Sequence, residues 1–215
     1  MQDQKGRIAV LGASGTVGRR IIERLAEAGF HVFCQTRSAE KLAALRGRVV
    51  VHVFDPRDAA KMSEFVSGVH AVIFALGADA KGTPTLISDV TAVLISAMKA
   101  HQVRRLIAIT GVGAGDTRGH GGFVYDWIVY PLFTRKRYVD KDRQEALIAA
   151  SGLDWIIVRP APFSETPAPV ALEVYTQIKP ETRLTRITRD EVAAFVVAQV
   201  DGDQYLRQRP FIGHG

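Results

Sequence analysis

Short uninterrupted apolar runs alternate along the chain with longer stretches whose apolar residues recur at helical spacing. Residues 8–11 form the first run, and Ile21, Ile22 and Leu25 then mark one face of a helix. Phe30–Thr36 predicts a second strand, with Gly29 placed to cap the helix before it. The pattern goes on to predict a short helix over 39–46, a strand over 49–54, a helix over 59–67 and a strand over 70–75. Residues 79–85 are polar and read as a loop. A helix over 86–101 follows, with Val90, Val93, Leu94 and Met98 on one face, and then a strand over 106–110. Residues 138–150 predict a helix that stops near Gly152, and 155–159 a sixth strand. The proline-rich stretch 164–181 reads as irregular. Thr188-Arg-Asp-Glu191 is a capping box opening a helix that runs through Val200, and 205–207 predicts a last short strand at the sheet edge.

Strands that are apolar throughout must be covered on both faces, and their alternation with helices indicates βαβ units. The expected fold is α/β: a Rossmann-like, doubly wound parallel sheet in three α/β/α layers, forming a single domain over 1–215. No internal repeat or long linker divides the chain. Right-handed crossovers put the ligand crevice at the carboxyl ends of the strands. The segments leaving those strands therefore converge: Gly12 to Gly18, Arg37, Asp55, Leu76 with Gly77, Thr110 with Gly111, and the chain from Pro160 onward.

The first of these segments reads Gly12-Ala-Ser-Gly-Thr-Val-Gly18. At a strand-to-helix junction this spacing predicts a dinucleotide site. Gly12 allows the tight turn, Gly15 lets a pyrophosphate approach the backbone, and Gly18 lets helix and strand pack closely. The amides of Ser14, Gly15, Thr16 and Val17 then face an anion at the positive end of the helix dipole. About 20 residues further on, NAD-binding relatives of this fold carry a carboxylate. Here Thr36, Arg37 and Ser38 stand in that place. With no acid to repel a 2′-phosphate and with the planar fork of Arg37 to pair with it, the expected cofactor is NADP (NADPH). Asp55, at the end of the third strand, suits either the adenine amino group or the cap of the next helix, a role Asp58 also fits.

Composition narrows the function classes. Of 215 residues, 47% are apolar, ample for a core, and 23% are charged, ordinary for a soluble protein. The polar start, Met1-Gln-Asp-Gln-Lys5, predicts no signal peptide, and no apolar run nears the roughly 20 residues of a membrane span. One cysteine, Cys34, allows no internal disulfide, so a cytoplasmic location is expected. No histidine or cysteine pair has metal-ligand spacing, and no metal is expected. The net charge of +6 is not gathered into a basic helix or tail, which argues against nucleic acid as a partner. Its one dense cluster, Arg135-Lys136-Arg137 with Lys141 and Arg143, is either a solvated face or an attractor for an anionic ligand. Residues 111–122 are glycine-rich and able to move. The aromatics after them, Tyr125, Trp127, Tyr130 and Phe133, form either a lid within 111–137 or ordinary core packing. Residues 160–181 are the second lid candidate.

Together these segments resemble the atypical short-chain dehydrogenase/reductases of the NAD(P)-binding, NmrA-like kind, a group that includes flavin reductases and biliverdin reductase B. The resemblance rests on the glycine loop, Arg37, Asp55, Lys141-x-x-x-Glu145, Ser151-Gly-Leu-Asp-Trp-Ile-Ile-Val-Arg-Pro160 and Ile187-Thr-Arg-Asp-Glu-Val-Ala193. It implies that Lys141 contacts the nicotinamide ribose, and it matches Thr110 to the superfamily's active-site serine or threonine. In ordinary members a tyrosine four residues before the lysine donates a proton to a carbonyl. That place holds Arg137, and Tyr138 is offset by about 100° around a helix.

Flavins, quinones and linear tetrapyrroles accept hydride without such an acid. The expected function is an NADPH-dependent reductase of a planar conjugated acceptor, anionic or uncharged, with Lys141 and Thr110 as its catalytic residues. The alternative is a non-catalytic NADP(H)-binding redox sensor of NmrA-like type. Sugar-nucleotide epimerisation would need the missing tyrosine and a larger substrate domain. The partner is a small molecule, with neither nucleic acid nor membrane, and the protein is expected as a monomer or small homo-oligomer.

Overall fold

A computed structural model describes residues 5–77, 83–117, 119–120 and 135–215; for residues 135–138 it describes the backbone. The strands are β1 (Lys5–Leu11), β2 (Phe30–Thr36), β3 (Val50–Val53), β4 (Ala71–Phe74), β5 (Arg105–Ile109), β6 (Asp154–Pro160), β7 (Glu173–Tyr175) and β8 (Phe211–Gly213). Between them run α1 (Thr16–Glu27), α2 (Ala59–Val66), α3 (Leu86–Ala100), α4 (Arg135–Ala149) and α5 (Arg189–Ala198). All eight strands join one sheet in the order β3-β2-β1-β4-β5-β6-β8-β7. The pairs from β3 through β8 are parallel, and β7 closes the edge antiparallel to β8. This is the Rossmann-like α/β fold, and strand order reverses between β1 and β4.

Alternation along each strand explains the three layers. Ile8 and Val10 of β1, with Ala71, Ile73, Ile107, Ile156 and Val158, point to one face, where Ile21, Ile22 and Leu25 of α1 and Val192, Ala193 and Val196 of α5 cover them. Their neighbours Ala9, Leu11, Val72, Phe74, Leu106, Ala108 and Ile157 point to the other face, under Met62 and Phe65 of α2, Val90 and Leu94 of α3, and Ile148 of α4. A strand buried on both faces has no polar side to display. Cys34 is sealed into the first layer, where burial pushes its thiol up to about 12 and leaves it inert.

Three elements differ from the sequence pattern. The short helix expected over 39–46 is a 3₁₀ helix over Ala39–Leu45; the hydroxyl of Ser38 bonds Glu40 Oε2, so it caps no backbone amide of this short segment. The stretch 164–181 contributes β7, whose apolar and aromatic residues pair with β8. The last strand is not 205–207: that stretch is a turn, with Arg207 at φ +57° and Gln208 N–H bonded to the Tyr205 carbonyl. The chain straightens only after Pro210, so β8 enters beside β6 and not at the edge. The capping box of α5 is present in both its bonds, and Asp58 Oδ1 accepts from Lys61 N–H as the cap of α2.

The start of α3 is capped from elsewhere in the chain. Its own N-cap, Thr85, bonds Asp89 and not the helix amides. Instead the buried carboxylate of Asp140 on α4 accepts from Ile87 N–H at 2.8 Å, Ser88 N–H at 3.3 Å and Ser88 Oγ at 2.5 Å. Asp140→Ala would strand those donors, so a loss of about 2 kcal/mol in urea-unfolding free energy is expected, with Asp140→Asn costing less.

Candidate functional site

At the switch point, the carboxyl ends of β1, β2, β3 and β4 surround a cavity of about 380 Å³. Gly12, Ser14, Gly15 and Thr16 form its floor; Arg37, Asp55, Leu76 and Gly77 form its walls, together with Gln35, Thr36, Lys41, Arg57 and Leu86. Eight of the residues predicted from sequence are thus brought together. Val17 and Gly18 lie in the first turn of α1 behind the floor, and Ser38 stands beyond the wall, its amide on Thr36 Oγ1 at 3.1 Å. Thr110, Gly111, Lys141 and Pro160 gather separately, at the ends of β5 and β6.

The three glycines answer to different constraints. Gly12 has φ +74°, and a Cβ on it would lie 2.7 Å from Ala75 O and from Leu76 N. A Cβ on Gly18 would lie 2.2 Å from Gly12 O, so α1 can sit on the loop only without a side chain there. Gly15 is extended, at φ −72° and ψ 166°, and its Cβ would meet one protein atom, Gly12 O at 3.2 Å. Neither backbone strain nor a hard clash demands glycine at 15. The remaining direction opens into the cavity, as a cradle for a group that must touch the backbone requires.

Gln35 was not foreseen from the sequence. Buried at the end of β2, it accepts from Gly12 N–H at 3.4 Å and donates to Phe54 O at 2.8 Å, so one amide spaces the ends of β1, β2 and β3. Its one sequence signal is a long polar side chain directly after the apolar run Val32-Phe-Cys34. Thr36 Oγ1 adds a bond to Ser14 Oγ at 3.1 Å, tying the floor to the wall.

Three cations, Arg37, Lys41 and Arg57, line the cavity with one carboxylate among the described residues, Asp55. Asp55 accepts from Arg57 Nε at 3.0 Å, Nη2 at 2.5 Å and backbone N–H at 2.9 Å. These hydrogen bonds, with the positive charges of Arg57 and Arg37, hold its carboxyl down at about 2. It is therefore an ionised acceptor at neutral and mildly acidic pH, and its partner is Arg57 where a helix cap was the other expectation.

On the second side, Lys141 Nζ donates to the Thr110 carbonyl, and Thr110 Oγ1 donates to Glu145 Oε1 at 2.8 Å. Glu145 stands four residues after Lys141 in the sequence, a spacing that by itself gives it no role. The segment 111–117, expected to move, is fastened: Val112 N–H bonds Pro160 O at 2.8 Å, Gly115 N–H bonds Asp142 Oδ1 at 2.8 Å, and Asp116 pairs with Arg159. Tyr125, Trp127, Tyr130 and Phe133, and the side chains of Arg135, Lys136, Arg137 and Tyr138, lie outside the described residues. Among the described residues, no cluster of histidine, cysteine and acidic side chains could hold a metal, and no helix is long and apolar enough to cross a membrane.

The chain belongs to the NAD(P)H-binding family, whose model matches residues 12–203. It is 23% identical over 202 residues to an uncharacterised sugar epimerase of Bacillus subtilis, YhfK, covering 91% of this chain and 88% of that one. The fold also matches ChuY, an anaerobilin reductase of Escherichia coli O157:H7, with a TM-score of 0.77 at 20% identity over 97% of each chain. A short-chain dehydrogenase/reductase of Veillonella parvula in complex with NADP superposes with a TM-score of 0.76 at 17% identity, over 97% of this chain and 94% of that one.

The glycine geometry separates folding from binding. Gly18→Ala should destabilise the protein by about 1–3 kcal/mol through overpacking. Gly15→Val should leave the unfolding midpoint within a few degrees of wild type while abolishing NADP(H) binding in a calorimeter. Retained binding in the second variant would place the phosphates elsewhere.

Proposed function

We propose that the protein is an NADPH-dependent reductase that delivers hydride to a planar conjugated acceptor, a flavin, quinone or tetrapyrrole, without a tyrosine acid. Within the family this makes it a member of the atypical, NmrA-like kind. The observation that carries the reading is the commitment of Thr110: its hydroxyl donates a hydrogen bond to Glu145 Oε1 at 2.8 Å. A hydroxyl so engaged accepts hydrogen bonds from the crevice and does not donate one to a substrate carbonyl. The place four residues before Lys141 is Arg137, so the usual proton donor is missing there as well.

On this reading the amides of residues 14–17 and the Gly15 backbone hold the pyrophosphate, Asp55 accepts from the adenine amino group, and Leu76, Gly77, Gly111 and Pro160 flank the rest of the cofactor. Ser38 supports the end of β2 from outside the wall. Arg37, with Lys41 and Arg57 beside it, takes the 2′-phosphate. Lys141 holds the nicotinamide ribose. The cofactor, when bound, supplies the hydride. The chain supplies position, which can lower a barrier by roughly 7–11 kcal/mol at best, and the proton comes from solvent. ChuY, named as an anaerobilin reductase, supports the tetrapyrrole class. The epimerase name of the Bacillus relative fits less well, since sugar-nucleotide epimerisation would call on the tyrosine that Arg137 replaces.

Two measurements test this. Oxidation of NADPH against a panel of flavins, quinones and biliverdin should show turnover with at least one; tight NADP binding with none would make the protein a redox sensor. Arg37→Ala should weaken NADPH by about 1.5–3 kcal/mol, the worth of a charge-assisted contact, and leave NADH nearly unchanged. Equal weakening of both cofactors would give Arg37 another role.

A further inference from the structure

Around Thr110, apart from the cavity, lies an ion cluster whose arginine and second carboxylate have no part in the proposed reaction. Arg159, at the end of β6, and Glu145, on α4, are both buried, with side-chain exposures of 3% and 6%. Arg159 Nε donates to Glu145 Oε1 at 3.1 Å and Nη2 donates to Oε2 at 2.6 Å, a two-pronged pair. The third side of the guanidinium pairs with Asp116, and Arg209 Nε stands 3.4 Å from Glu145 Oε2. The loop makes room for this: a Cβ on Gly115, at φ +54°, would lie 2.5 Å from Arg159 Nη2.

Buried ion pairs are expensive, and apolar residues of the same shape would often hold two strands and a helix together as well. The position of this one sets it apart. Glu145 follows Lys141 by one helical turn on α4, so the two side chains share a face. Both close on the same residue, Lys141 Nζ on the carbonyl of Thr110 and Glu145 Oε1 on its hydroxyl. Burial alone would lower the pKa of Arg159, but the hydrogen bonds and charges of Glu145 and Asp116 outweigh it and raise the value.

We propose that Glu145 is a positioning residue for Lys141, acting through Thr110: clamped by Arg159, it fixes the Thr110 hydroxyl as a donor and thereby the carbonyl on which the Lys141 ammonium rests. This rests on the reading of Lys141 as the residue that holds the cofactor ribose. The cluster thus sets two properties at once. It aims the lysine, and it leaves Thr110 with lone pairs and no proton to offer the crevice.

The test is a double-mutant cycle on NADPH affinity, read by calorimetry so that no acceptor need be known. Glu145→Gln keeps the shape and removes the charge, and should weaken NADPH about tenfold; Lys141→Ala should weaken it more; the double variant should lose no more than about threefold beyond Lys141→Ala, because coupled residues are not additive. Thr110→Val cuts the same link without touching the ion pair, and should match Glu145→Gln even if that variant folds poorly. Losses that multiply across the cycle, or a Thr110→Val variant with wild-type affinity, would make the cluster merely structural and overturn the proposal. Unchanged NADPH affinity in Lys141→Ala alone would remove the reading beneath it, and the positioning role with it.

Discussion

The first turn of α1 rests on the carbonyl of Gly12, and the rest of the nucleotide half depends on that contact. Because Gly18 has no side chain, the helix can begin directly over the loop that leaves β1. That placement aims the amides of the first turn along the helix axis toward the cavity, where the dipole favours an anion. It also sets where α5 lies, since Arg20 on α1 pairs with Asp190 and Arg189 reaches Thr16 Oγ1 at 3.3 Å. The tail of the chain completes the arrangement: His214 Nε2 lies 2.8 Å from Glu191, the acid of the α5 capping box.

The other half is organised by one helix. Three residues within six positions of α4 reach three different elements. Asp140 caps α3, and through it fixes Leu86 in the cavity wall. Lys141 closes on the carbonyl at the end of β5, and Glu145 closes on the same residue's hydroxyl and on β6. One face of this helix thus spends two acids and a lysine on groups of α3, β5 and β6.

Electrostatics differ between these halves. Around the cavity the charges are largely exposed, and among the described residues that line it only Asp55 offsets the three cations, so the wall stays receptive to an anionic ligand. Around Thr110 the central pair, Arg159 with Glu145, is buried, and the exposed carboxylate of Asp116 joins it from the surface. The first arrangement suits recognition; the second suits holding a fixed geometry, since a matched buried pair cannot relax into water.

The strands, the helices and the phosphate loop were legible in the sequence because they depend on local rules. Strand runs buried on both faces, the 3.6-residue recurrence of Ile21, Ile22 and Leu25, and the spacing of Gly12, Gly15 and Gly18 are all properties of neighbouring residues. So was the convergence of Arg37, Asp55 and Leu76, which follows from handed crossovers once the strands are known. The tertiary structure decided what depends on partners far along the chain. Asp140 caps a helix 53 residues away, Gln35 joins two other strand ends, and Thr110 donates a hydrogen bond to a carboxylate 35 residues on. A buried polar side chain must find whatever partner the fold brings near it, and that partner has no fixed spacing in sequence. The last strand follows the same rule: 205–207 has the composition of a strand, but it turns, and the chain meets the hydrogen-bonding edge of β6 from Arg207 and Gln208 onward, becoming a regular strand at Phe211.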